Sequence, residues 1–253
     1  MNRKGLLLFL VVVLFPVAAL LPQAEARRPA TLAIGQGEAA VSLLQGTADI
    51  LEKDRWSALK TADMLGEGDH VRTGPGARLE LRLPDESQVR FAGNSEFRLV
   101  RVAQGERAAR DVKVHVALGR AWARVAKTAG MKGQFELSCD HAVAGVRGTV
   151  YRMNVEQDRS ALIRVYEGIV HVSGGGKATE APAPIGPPTR VEGPKPVPGP
   201  RRVTMEEWTV IIRAMQQVSI GVDGKPGKPR DFTEAEDRDE WVEWNRERDR
   251  SGN

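Results

Sequence analysis

The 253-residue chain carries 37 Lys and Arg against 33 Asp and Glu, a net charge of +4. This small basic excess is scattered among acids rather than gathered in blocks, which argues against a protein held to nucleic acid or a membrane surface by charge. Cys139 is the lone cysteine, so no intramolecular disulfide can form and stability has to come from packing.

Residues 1–26 read as a targeting segment rather than as fold. Arg3 and Lys4 give a positive start, Leu6 to Leu21 is apolar with Pro16 inside it, and Ala24-Glu25-Ala26 has the small-x-small form of a cleavage site. Cleavage after Ala26 would leave a periplasmic or secreted chain. The alternative is a retained N-terminal anchor, although the run is about 16 residues against the ~20 a spanning helix needs. No second apolar run long enough to span a bilayer follows Leu21.

Residues 27–65 are expected to add strands to the domain that follows, with a pair at Ala39–Leu44 and Ala48–Leu51 joined near Gln45-Gly46. From 66 to 173 the signals are dense. Turn clusters at Gly66 to Asp69 and Thr73 to Gly76 bracket a short strand at His70–Arg72. Leu79, Leu81 and Leu83 alternate with Glu80 and Arg82, the period of a strand buried on one face. Pro84 to Ser87 turns the chain into Val89 and Phe91, and Gly93-Asn94 into Phe97 to Val102. Val112 to Leu118 repeats the alternation, Gly119 starts a further strand through Trp122 and Val125, and Phe135 to Cys139 follows a loop at Lys127–Gly133. Val143–Val146, Val150–Val155 and Leu162–Val172 close the run, with bends at Gly148 and at Glu167-Gly168. Many short strands with regular turns and no helix predict an all-β domain of antiparallel strands, as a twisted roll, a sandwich or a β-solenoid-like stack.

Residues 174–202 change character. Gly174 to Gly176 and eight prolines from Pro182 to Pro200 predict an extended, semi-rigid linker. Residues 203–253 predict a charged helical tail. In its first half Trp208, Ile211, Ile212, Met215 and Val218 share a face at helical spacing. In its second half Thr233 and Glu236 form a capping-box pattern ahead of a helix to about Arg248 that carries Trp241 and Trp244. Helices this short need something to pack on: the β domain, each other, or a partner.

Four motifs in order carry a family resemblance: G-E-G-D-H-V-R-T-G-P-G from Gly66, L-G-R-A-W-A-R-V from Leu118, the A-V-A-G-V-R-G-T-V-Y-R-M step from Ala142, and V-Y-E-G-I-V-H-V from Val165. Together they resemble the FecR domain, named for the ferric-citrate signalling protein of Gram-negative bacteria. The resemblance implies an extracytoplasmic all-β module that binds proteins or envelope components without catalysis. It marks Gly68, Asp69, Gly74, Gly148, Thr149, Glu167 and Gly168 as structural signature positions. Asp85-Glu86-Ser87 departs from the family's usual Asp-Gly-Ser, so that turn has to manage without its glycine.

Candidate chemistry is sparse. Cys139 and His141 are two apart and would share a face of an extended strand, a conceivable nucleophile and base, but no third group orients them. A buried apolar filler is the commoner role for an isolated Cys, and an intermolecular disulfide the other alternative. His70, His115, His141 and His171 lack metal-ligand spacing, and Thr73 to Gly76 lacks the lysine and helix of a phosphate loop. No metal or cofactor is expected. The leading expectation is an exported, non-enzymatic envelope binding module whose partner is a protein or an envelope polymer, with Trp208, Trp241 and Trp244 as binding candidates. An accessory sensor in a sigma-factor signalling system, and a periplasmic enzyme built on Cys139, are the alternatives.

Overall fold

The computed structural model describes residues 37–104, 110–127, 133–174 and 208–252. The signal segment 1–26, most of the Lys127–Gly133 loop and most of the linker 174–202 lie outside the described residues.

The described chain forms β1 (Ala39–Gln45), β2 (Ala48–Glu52), β3 (Arg55–Ala58), β4 (Met64–Leu65), β5 (His70–Thr73), β6 (Arg78–Arg82), β7 (Gln88–Ala92), β8 (Glu96–Gln104) and β9 (Arg110–Arg124). It continues with β10 (Gly133–Ser138), β11 (Ala142–Val146), β12 (Val150–Val155), β13 (Ala161–Glu167), β14 (Ile169–Gly174), β15 (Thr209–Arg213), β16 (Gln216–Ile220), β17 (Arg230–Asp231) and one helix, α1 (Glu240–Ser251).

The strands divide into two sheets. Sheet I runs β4-β1-β6-β7-β9-β12-β13-β16-β17, antiparallel throughout. Sheet II runs β3-β2-β5-β8-β9-β10-β11-β14-β15, antiparallel except for the β9–β10 pair. The inner faces share one core, in which Leu79, Phe91, Ala121, Tyr151 and Ile163 of sheet I meet Val71, Phe97, Val114, Leu137 and Val172 of sheet II. Phe91 and Phe97 stack across it at 3.6 Å. The all-β expectation holds, as a two-layer arrangement.

The two strands expected on either side of Gly119 are one strand. Arg110 to Leu118 pairs in sheet II and Gly119 to Arg124 in sheet I, so β9 joins the layers. Gly119 lies at φ +95°, and a Cβ there would come within 2.6 Å of the Ser95 backbone. A glycine is required where one strand changes sheets and presses on a neighbouring chain.

The first tail helix is corrected. The described part of Thr204–Ser219 is two strands that belong to different layers, β15 pairing β14 in sheet II and β16 pairing β13 in sheet I. Met215, at φ 62°, turns the chain from one sheet to the other. The local sequence permits this, since Val210, Ile211, Ile212, Val218 and Ile220 are β-branched and suit a pleated half-buried surface. The edges of β13 and β14 supply the deciding hydrogen bonds. The second helix exists but starts later than the capping box suggests. Thr233 and Glu236 do exchange the two capping hydrogen bonds, Thr233 N–H to Glu236 Oε2 at 2.8 Å and Glu236 N–H to Thr233 Oγ1 at 3.3 Å. They close an isolated turn, and Asp239 is the N-cap of α1, accepting from Val242 N–H at 2.9 Å.

Candidate binding surface

Each resemblance-marked position sits at a corner where the chain passes from one sheet to the other. Gly68-Asp69 joins β4 to β5, Gly74 joins β5 to β6, Gly148-Thr149 joins β11 to β12, and Glu167-Gly168 joins β13 to β14. Gly148 at φ +65° and Gly168 at φ +85° adopt left-handed backbone that side chains resist. Thr149, 1% exposed, donates its hydroxyl to the Ile169 carbonyl at 3.2 Å and ties these two corners together. Asp69 Oδ2 accepts from Gly66 N–H at 2.7 Å, and the Gly68 N–H donates to the Leu99 carbonyl at 2.7 Å. These positions build the corners of the fold, and those at Gly148-Thr149 and Gly168 touch each other.

The Asp85-Glu86-Ser87 turn accepts its missing glycine by placing exposed Glu86 at φ 66°. Its neighbours compensate. Asp85 accepts from Ser87 N–H and Oγ at 3.0 and 2.7 Å and from Arg110 Nη1 at 2.6 Å. Ser87 Oγ in turn accepts from Ala126 N–H at 2.9 Å.

The outer face of sheet I carries a row of charged side chains, and the tail covers it. One row crosses six strands in register: Glu80, Arg90, Trp122, Arg152, Arg164 and Gln217. Alternation places all of them outward, the reading that would leave them in solvent. Instead Arg90 is fully buried and Arg152 is 3% exposed. Arg90 donates to Glu80 Oε2 at 2.7 Å and to Asp249 Oδ1 of α1 at 2.6 Å, and Trp122 Nε1 donates to Asp249 Oδ2 at 3.0 Å. Arg248 of α1 forks onto both Glu80 oxygens at 2.9 and 3.0 Å. Burial alone would raise the Glu80 carboxyl, but hydrogen bonds from Arg248, Ser42 and Arg90 outweigh it and hold the group below its ordinary value.

Asp237, ahead of α1, is the second anchor. It is 3% exposed and accepts from Arg152 Nη2 at 2.5 Å, from Arg164 Nη1, and from the Tyr166 hydroxyl at 2.5 Å. Burial raises the Tyr166 phenol, and the bond to Asp237 adds to that effect against the opposing pull of Arg152, so the hydroxyl remains a donor. At the flanks Arg78 pairs with Glu240, and Arg120 with Asp239 at 2.9 Å.

Of the three tryptophans proposed for binding, Trp241 and Trp244 lie together within this docking and Trp208 lies apart from them, against the core between the sheets. Trp241, 4% exposed, packs with Val242 on Trp122 and Ala92. It stacks with Trp244 at 5.3 Å, and the Arg248 guanidinium lies 5.4 Å from the Trp244 ring. Trp208 lies against the shared core, packs over Gly174, and donates its indole N–H to the Gly224 carbonyl at 3.1 Å. All three hold the tail to the β domain. Sequence reasoning missed Glu80, Arg90, Arg152, Arg164, Asp237 and Asp249. The available signal was charge complementarity between an arginine-bearing strand face and an acidic tail.

Sheet II presents its outer face openly. Ile169 is 48% and Ile211 44% exposed, diagonal to each other across β14 and β15 with His171 between them. Beside them Gly145 leaves a depression of about 370 Å³ lined also by Glu136, Arg147 and Phe135. Nearby, His115 Nδ1 is 3.3 Å from Ser138 Oγ and its Nε2 is 3.4 Å from Asp140, a Ser-His-Asp order with Ser138 and His115 on neighbouring strands and Asp140 in the bend after β10. Its bonds are engaged elsewhere, because the Ser138 hydroxyl is also within reach of the Val114 carbonyl at 3.4 Å and Asp140 pairs with Arg159. Cys139 is fully buried in the core, its thiol pushed up by burial; β10 ends at Ser138, so Cys139 and His141 both lie past the strand and are not same-face neighbours on it.

The FecR family profile, described as "FecR protein", matches residues 69–171. Residues 69–171 are a FecR domain. The match spans the strands from β5 into β14 and includes the corners at Gly74, Gly148-Thr149 and Glu167-Gly168. Two crystal structures of a "putative anti-sigma factor" from Parabacteroides distasonis resemble the chain at 16% identity, with TM-scores of 0.43 and 0.42. Each comparison covers 64% of this chain and 59% of the other, so the chain spans about three-fifths of those proteins. No curated protein matches the chain. Around the FecR domain, β1 to β4 extend both sheets on one side and β15 to β17 on the other, while α1 closes the outer face of sheet I.

Proposed function

We propose that this chain is an exported, non-enzymatic binding module of the cell envelope, working in signalling by engaging a protein partner through the outer face of sheet II. The FecR match over residues 69–171 supports the signalling class. The observation that carries the choice of surface is the asymmetry of the two outer faces. The chain's own tail occupies sheet I through Asp237, Arg248 and Asp249, whereas sheet II presents exposed Ile169 and Ile211 on a diagonal across β14 and β15, next to a depression. Paired exposed apolar side chains beside a polar strand face suit the centre of a protein contact. Export rests on the Arg3-Lys4, Leu6 to Leu21 and Ala24-Glu25-Ala26 pattern.

The test is affinity capture from envelope extracts with residues 27–253, comparing the parent with Ile169→Asp plus Ile211→Asp. Loss of the captured protein from the double variant, with an unchanged melting curve, is the expected result. Capture of the same protein at the same yield would move the partner off sheet II.

A further inference from the structure

The tail pairs the arginines it covers and stops short of one row. On the outer face of sheet I, Arg78, Arg90, Arg120, Arg152 and Arg164 each meet a carboxylate from the tail: Glu240, Asp249, Asp239 or Asp237. The next row toward the end of the sheet reads Arg82, Gln88, Arg124, Val150 and Glu167 in register. Helix α1 ends above it at Gly252. Among the described residues, neither Arg82 nor Arg124 has a side-chain hydrogen bond or ion pair, nor does Lys127 beside them, and the Nε of Arg82 is buried with no partner. The three cations line a cleft of about 580 Å³ together with Gly148, Thr149 and Gly168 and the carboxylates of Glu86 and Glu167.

We infer that this cleft is a binding site for a small ligand bearing an oxyanion, a carboxylate or a phosphate. The tail answers Arg78, Arg90, Arg120, Arg152 and Arg164 on this face with carboxylate oxygens, and the same chemistry would complete Arg82 and Arg124. Two strand spacings separate the two arginines, roughly 10 Å. One oxyanion group entering over Gln88 can therefore take fork contacts from both sides, with Lys127 as a third donor. The α-helix C-terminus at Gly252 carries only a partial negative charge and complements the row in part, as cations near a helix end commonly do. It leaves the guanidinium donors themselves unbonded. Exposed arginines are ordinarily solvated; enclosure in a cleft, and the dry Nε of Arg82, distinguish this pair.

The experiment is a titration of residues 27–253, isotopically labelled, with inorganic phosphate in one arm and succinate in the other, at low ionic strength. Saturable amide shifts at Gly148, Thr149 and Gly168 are expected with at least one anion. A response to both reads as general oxyanion recognition, and a response to one identifies the source. Arg82→Gln and Arg124→Gln should each weaken binding roughly ten- to a hundredfold, the loss of a hydrogen-bonded charge contact. Arg124→Lys should fall between, because the point charge remains and the fork is gone. Arg55→Gln, on an exposed strand of sheet II, should bind as the parent does. If Arg124→Gln fails to fold, Arg82→Gln carries the comparison. The inference is overturned by non-saturable shifts in both arms, or by equal affinity in the parent and the Arg82→Gln variant.

Discussion

Asp237 is the residue on which tail docking depends most, and Asp237→Ala tests that dependence. The substitution removes one carboxylate that serves Arg152, Arg164 and Tyr166 at once. Arg152 has a side chain only 4% exposed, its Nε and Nη1 make no hydrogen bond, and its remaining carboxylate, Asp239, is 3.9 Å from Nη1, too far to replace Asp237. Breaking a buried pair from one side costs about 3–5 kcal/mol, mostly for the charge left behind. Set against the ~5–15 kcal/mol by which domains are stable, that is a large fraction. With a urea dependence of about 2 kcal/mol per molar, the denaturation midpoint should fall by about 2 M. The chain can limit the damage by releasing 232–252 as a unit, which would re-expose Trp241 and Val242 at about 1.5–3 kcal/mol each. The two outcomes separate by probe: tryptophan fluorescence would report an early, shallow transition if the tail leaves first, and circular dichroism the later loss of sheet. Arg238→Gln, which touches only an exposed pair with Glu243, should move the midpoint by less than about 0.5 M. A shift for Asp237→Ala no larger than that control refutes the claim that this carboxylate holds the tail.

Three further outcomes follow from particular residues. Glu86→Gly should stabilise by about 0.5–1 kcal/mol and raise the melting temperature by about 1–4 °C, because relief of a left-handed side-chain residue exceeds the added chain entropy; a lower melting temperature would show the turn to be unstrained. Glu80 has a folded carboxyl held below its ordinary value of 4.5, so its contribution to stability is full above that value and is lost as pH falls through the folded one. Melting temperatures of the parent and Glu80→Gln, followed from pH 7 to 3, should therefore differ most at neutral pH and converge in acid; a constant gap would contradict the linkage. Cys139, buried with its thiol pushed up, should resist an aromatic disulfide reagent in the native chain and react fully in denaturant; fast native reaction would place it at the surface.

The parts of this fold legible in the sequence are those set by local periodicity. Leu79-Leu81 and Val112 to Val116 alternate because one face of each strand is buried, and the structure buries those faces. The Glu86 departure was equally readable, since a turn that wants glycine has to place its substitute at positive φ. What sequence could not settle was which strands pair. β9 reads as two strands because a glycine interrupts its pattern, yet its halves belong to one strand that changes sheets. Residues 209–220 satisfy helical spacing and β propensity together, and only the edges of β13 and β14, more than thirty residues upstream in the chain, decide the matter. The charged row from Glu80 to Arg164 looked solvent-facing for the same reason: alternation assigns a face, and a distant tail determines what covers it.

Hydrogen–deuterium exchange on residues 27–253 tests most directly whether the tail closes sheet I and leaves sheet II as the working face. Amides from Asn245 to Ser251 of α1 should be protected alongside those of β12 and β13, far beyond the rate of a free helix of this length, which would be marginal in water. Exchange of α1 at the rate of an unstructured peptide, with β12 and β13 still protected, would contradict the docked tail and return both outer faces to solvent.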